Sequence, residues 1–141
     1  MKKFFFLSII IASVFTLFSN QRKKNTENLP LLNTKWILEE IYETPITQGL
    51  DTAFITFSDN YKFSGNFGCN LFFGNFNFGK KRIKIDFLGS TRRLCTNMSL
   101  EDQFSKALRD DITHYRIEKN NLFLHNKNKV VLKFEGMVSL K

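Results

Sequence analysis

Between Trp36 and Phe134 apolar residues recur mostly at every second position. Successive side chains of a strand point to opposite faces, so this period describes half-buried strands of an antiparallel sheet. In Lys35–Tyr42 the residues Trp36, Leu38 and Glu40 share one face, and Ile37, Glu39 and Ile41 share the other, a partly two-sided strand. Ala53, Ile55 and Phe57 alternate before the turn residues Ser58-Asp59-Asn60. Tyr61, Phe63, Gly65 and Phe67 then alternate with Lys62, Ser64 and Asn66, which is a hairpin signal. Phe72–Phe78 and Arg82–Leu88 flank Gly79-Lys80-Lys81 as a second pair. Thr113–Glu118, Asn121–His125 and Val130–Phe134 close the chain.

One segment breaks the period. Leu100, Phe104, Ala107, Leu108 and Ile112 fall at helical spacing, with Ser99 or Asn97 as N-cap and Glu101 and Asp102 in the first turn. One helix among about eight strands predicts a mainly β (α+β) domain, a small curved, barrel-like antiparallel sheet closed against that helix. Its expected core is Trp36, Phe57, Phe63, Ile85, Phe104, Leu108, Leu124 and Leu132.

The length of 141 residues fits one domain, and a hydrophobic content of 43% with 24% charged residues fits a globular chain. The N-terminus stands apart. Met1-Lys2-Lys3 precedes the apolar run Phe4–Phe18, which is shorter than the roughly twenty residues of a membrane span and has the form of a secretory signal. Bulky Leu17 weakens the cleavage site after Ser19. Residues 1–20 are therefore assigned as a signal peptide or N-terminal membrane anchor, in preference to a buried helix. Neither Cys69 nor Cys95 follows the run, so a lipid-anchored form is not expected. Residues 21–28, with Arg22, Lys23 and Lys24, form a polar linker, and the folded domain is placed at 29–138. An exported protein, periplasmic, membrane-anchored or secreted, is the expectation. Losing residues 1–20 removes Lys2 and Lys3 and no acid, which turns the net charge of +8 into +6.

The stretch Gly65 to Gly74 is the least ordinary. It lacks the Gly-Lys-Ser/Thr ending of a phosphate loop, and its glycines fit a bulge, a positive φ or close backbone approach at a corner. Cys69 and Cys95 can pair in an oxidising compartment or remain a buried thiol pair. His114 and His125 build no triad or metal motif and are expected at the surface. Glu39 and Glu40 point to opposite faces of a strand and make no acid–base dyad. No catalytic residue, metal site or cofactor is assigned. The basic group Lys80, Lys81, Arg82 and Lys84 suits an anionic membrane surface better than nucleic acid in an exported protein.

Leu32-Asn33-Thr34-Lys35-Trp36, then Ser64-Gly65 with Gly68-Cys69-Asn70 and Phe73-Gly74, then Thr91-Arg92-Arg93-Leu94-Cys95 before Met98, Glu101 and Phe104, together resemble the META domain, the DUF306 or HslJ-like heat-shock family. The likeness covers about residues 29–135. Asn33 stands where the family opens on glycine, and Leu71 where a polar or basic residue is common. The resemblance implies a β-rich barrel-like fold with a helix in bacterial envelope and secreted proteins, associations with heat shock and novobiocin tolerance, and no established enzyme activity. It also implies that Cys69 and Cys95 are a recurring pair.

These readings lead to a monomeric, non-catalytic envelope protein that binds a hydrophobic ligand, an envelope-protein partner or an anionic membrane surface. A periplasmic hydrolase or inhibitor with a dispersed site is the alternative. Phe67, Asn70, Phe72, Phe73 and Arg92, on or beside the Gly-rich corner, are the candidate binding residues, unless they only stabilise the turn.

Overall fold

The structure is a computed structural model that describes residues 27–48, 51–96 and 98–137. The expected signal or anchor segment, most of the linker and the alternative cap Asn97 lie outside the described residues. The elements are β1 (Lys35–Ile41), β2 (Thr44–Pro45), β3 (Phe54–Phe57), β4 (Lys62–Asn66), β5 (Leu71–Phe78), β6 (Ile83–Ser90), α1 (Ser99–Leu108), β7 (His114–Glu118), β8 (Asn121–Asn126) and β9 (Lys129–Met137).

Short turns join β3 to β6 as one meander and β7 to β9 as another, and β1 lies between them, giving the order β6-β5-β4-β3-β1-β9-β8-β7 with β2 beside β1. The strand pairings are antiparallel. The sheet curls until its two end strands touch. Ile83 N–H donates to the Thr113 carbonyl at 3.1 Å, and Tyr115 N–H donates to the Lys81 carbonyl at 3.0 Å, around the bridge Arg82↔His114. Among the described residues this is the expected curved sheet with a single helix.

Aromatic rings fill the inside of the curl. Phe57 meets Phe76 at 4.9 Å between centroids, Phe67 stacks on Phe72 at 4.0 Å, and Phe104 of α1 stands edge-on to Phe67 at 5.2 Å. Of the expected core, Trp36, Phe57, Phe63, Phe104, Leu108, Leu124 and Leu132 are buried, whereas Ile85 is only half-buried toward the sheet's edge. The described core residues lie between Leu31 and Phe134, so a chain beginning at Gln21 retains all of them. Among the described residues no helix is long and apolar enough to cross a membrane.

Two local features differ from the sequence reading. A bulge in β1 opposes Leu38 and Glu40 to the consecutive residues Phe134 and Lys133. The extra residue shifts the phase by one, so Ile41 joins Trp36 and Leu38 inside, and Glu40 instead pairs with Lys133. At α1, Met98 occupies the capping position with no side-chain cap, and Ser99 is already helical. The helix ends at Leu108, and buried Ile112 lies beyond it.

Gly65 and Gly74 show why a strand interior carries glycine here. Phe72 lies across from Gly65 and Phe63 across from Gly74 in the ladder. A Cβ at Gly65 would sit 2.4 Å from the Phe72 ring, and one at Gly74 would sit 2.4 Å from the Phe63 ring. Each missing side chain is the space into which a phenylalanine lies down.

Candidate functional site

The corner between β4 and β5 begins with Asn66, whose side-chain oxygen accepts the Gly68 N–H at 2.7 Å. Gly68 has φ 103, a conformation that L side chains rarely adopt, and Phe67 N–H closes the turn on the Asn70 carbonyl at 2.9 Å. The turn delivers Asn70 to the interior, 1% exposed.

Every polar edge of the Asn70 side chain is engaged. Its amide nitrogen donates to the Arg93 carbonyl at 3.0 Å and to both Glu101 carboxylate oxygens at 3.0 and 3.1 Å. Its oxygen accepts from the Arg93 N–H at 2.7 Å and from the Thr91 hydroxyl at 2.8 Å. Asn70 N–H donates to Glu101 at 3.0 Å, and the Arg93 guanidinium donates to the Cys69 carbonyl at 2.6 Å. The Cys69–Cys95 disulfide, with Cα atoms 6.4 Å apart, closes the same junction. Corner, post-β6 segment and the first turn of α1 are thereby pinned at one point.

The five candidate residues do not share a surface. Phe67 and Phe72 belong to the core and Asn70 to the buried junction, while Phe73 is 53% exposed and Arg92 is exposed. The sequence reading missed Thr91 and Glu101 as partners of Asn70. Glu101 stood out as an acid in the first turn of a helix and as a position of the META-like motif, and neither signals a contact 31 residues away.

On the outer face of β5, Leu71 and Phe73 follow at a spacing of two, and each is over half exposed. Leu88 of β6, 56% exposed, shares a groove of about 400 Å³ with Phe73, Ser64 and Lys62. Leu94 is 99% exposed two residues beyond Arg92. Leu71, Phe73 and Leu88 thus form a set of exposed apolar side chains. Thr91 N–H donates to the Leu71 carbonyl at 2.9 Å, so the segment that carries Arg92 starts beside Leu71, while Arg93 faces Asp51 at 4.0 Å.

The histidines are not simply surface groups. His114 and His125 are opposite each other in β7 and β8, both half-buried, and Nε2 of His125 is buried with no hydrogen-bond partner. Burial above all, with Arg116 and His114 adding to it, pushes the His125 imidazole below its usual pKa.

Asn70 yields a direct test. Asn70→Ala leaves the Arg93 N–H and carbonyl without their buried partner and the Glu101 carboxylate with only the backbone N–H of position 70, at an expected cost of about 3 kcal/mol. Asn70→Asp keeps the shape but sets a carboxylate against Glu101. One of the two carboxyls then has a raised native pKa, so the native state binds more protons and the damage is present at neutral pH and eases as pH falls toward about 4. Urea unfolding of both variants at pH 7 and near pH 4 checks this. An Asp variant no weaker at pH 7 than near pH 4 would remove Glu101 from the junction.

Residues 29–138 match the META-domain family. Two structures solved by NMR share the fold. One is 23% identical with a TM-score of 0.56, over 72% of this chain and 87% of its own. The other, from Burkholderia xenovorans, is 21% identical with a TM-score of 0.56, over 77% of this chain and 84% of its own. No curated protein matches the chain significantly.

Proposed function

The chain belongs to the META-domain family, and from that premise we propose that it is a non-catalytic, exported module of the cell envelope. In this reading it binds a hydrophobic ligand or a membrane-protein partner and contributes to stress or drug tolerance. The observation that carries the reading is the exposed strip of Leu71, Phe73 and Leu88, with Arg92 following Thr91, whose N–H meets the Leu71 carbonyl. Exposed apolar side chains that adjoin one another mark contact surfaces more often than scattered ones do.

A membrane-protein partner suits the strip better than an enclosed ligand. The inside of the curl is filled by Phe57, Phe63, Phe67, Phe72, Phe76 and Phe104, whereas the strip lies on the outside. The disulfide is compatible with an oxidising, exported location. Arg92 and the surplus positive charge would favour a partner near anionic lipid, an attraction that salt weakens.

Complementation tests the proposal. A deletion strain challenged with heat, detergent and novobiocin should be rescued by the native chain and not by the double variant Phe73→Ala, Arg92→Ala, whose exposed positions leave the fold intact. Full rescue by that variant would remove the strip from function. Substrate turnover by purified protein, abolished by a point change that preserves the fold, would overturn the non-catalytic reading.

A further inference from the structure

A second concavity, of about 590 Å³, lies where β7, the last strand of the sheet, parts from the tip of the β5–β6 hairpin. The two end strands meet only around Arg82↔His114, after which the hairpin turns back at Gly79 and β7 runs on to Glu118. The gap is thus a consequence of incomplete closure of the sheet.

Its lining is cationic. Lys80 and Lys81 come from the hairpin tip, His114 and Arg116 from β7, His125 from β8 and Lys127 from the turn after it. None of the residues that line it is acidic. Among the described residues, Arg116 alone of these cations has an ion-pair partner, Glu118, and its guanidinium also lies over the Phe123 ring at 4.3 Å. Leu29, Tyr115 and Ile117 supply an apolar wall. Lysines gathered without counter-charges repel one another, an arrangement that a bound anion relieves.

The orphaned Nε2 of His125 adds a second, independent observation. His125 lines the concavity, and its buried Nε2, which has no partner, forfeits a hydrogen bond unless the ring turns toward a ligand that supplies one. Val130 of β9, opposite His125 in the ladder, brings no charge, and the charged groups that bear on this imidazole are Arg116 and His114 of β7.

We infer that this concavity binds the phosphate group of a small amphiphile, with Lys80, Lys81 and Lys127 meeting the charge, His125 Nε2 completing its hydrogen bonding, and Tyr115 and Ile117 packing against the apolar part. Lysine serves phosphate as a point charge, and several converge here. The volume is far larger than one phosphate and falls in the range of small-molecule sites. The site is separate from the β5–β6 strip, so it stands or falls independently of the partner proposed above.

The test uses the chain from Gln21 onward, with two probes: inorganic phosphate and monomeric dihexanoyl-phosphatidylglycerol. The imidazole NMR signals of His114 and His125 report binding. A saturable shift of the His125 signals is expected, together with a rise in its pKa when the anion binds. The double variant Lys81→Ala, Lys127→Ala should weaken binding by about tenfold or more, whereas Lys35→Ala, Lys106→Ala, which removes the same charge elsewhere, should change it by about twofold at most. Phosphatidylglycerol binding about tenfold tighter than phosphate identifies a lipid headgroup as the source, and equal binding identifies a free phosphate compound. The first result supports the proposal, and the second keeps the cationic phosphate site but overturns the amphiphile. Absence of a saturable shift with both probes overturns it, as does equal weakening by the two double variants.

Discussion

Phe104→Ala is expected to lower the free energy of unfolding by about 3–5 kcal/mol. The ring is fully buried, edge-on to Phe67 at 5.2 Å and to Phe72 at 5.6 Å, and tilted against Phe134 at 5.9 Å. It therefore touches both meanders of the sheet at once, and its loss leaves a cavity lined by side chains that cannot collapse without moving strands. A helix of ten residues is too short to persist alone in water, so α1 depends on this anchor together with Ala107 and Leu108. Because whole domains are stable by about 5–15 kcal/mol, the variant should melt well below the native chain. Urea unfolding followed by far-UV dichroism gives the measurement, with Gln103→Ala on the exposed side of the same helix as the control. Equal midpoints for Phe104→Ala and the native chain would show that α1 does not anchor through this face.

The second large effect is expected from the disulfide. Replacing Cys69 and Cys95 by serine frees a loop with a sequence separation of 26, which in the chain-entropy description costs about 3.5 kcal/mol. The loss should fall on stability and leave the architecture in place. Asn70 joins the same three segments through its own hydrogen bonds, so the corner retains its register without the covalent link. Denaturant unfolding with and without reductant, accompanied by thiol labelling of the folded protein, separates the two. Equal stability in both conditions would mean that the bridge constrains nothing the junction does not already hold. Loss of the native fold on reduction would instead assign the corner's register to the bridge.

These two effects mark how far the chain could be read in advance. The hairpins were legible because Phe63, Gly65 and Phe67, and later Ile83 and Ile85, alternate with polar residues over several positions, and the pleat converts alternation into facing. The helix was legible for the same reason at its own period. Ile41 was misplaced because a bulge at Glu39 inserts a single residue that no composition signals, and every position beyond it changes face. Ile85 was placed in the core by its alternation, but β6 is the end strand on its side of the sheet, and with no strand beyond it the residue stays half-exposed.

The candidate site was harder. Phe67, Phe72 and Phe73 are chemically alike and adjoin one glycine-rich corner, so the sequence could not say that two are interior and one outward. Asn70 drew attention as a polar residue at that corner, and the structure makes it a rivet in place of a contact residue, since its partners Thr91, Arg93 and Glu101 arrive from more than twenty residues away. The cationic concavity was invisible for a related reason: Lys80, Lys81, His114, His125 and Lys127 belong to separate turns and strands that come together only where the sheet's two ends meet.

By itself, the order of residues determined the mainly β class, the number of strands among the described residues to within one short strand, the position of the helix and the family. Those properties follow from local periodicity and short motifs, which act through neighbours a few positions apart. Tertiary structure alone decided which phenylalanines face outward, which turns share a surface and where the curl fails to close. These are properties of contacts between distant segments, and their geometry is set by the twist, bulges and closure of the whole sheet.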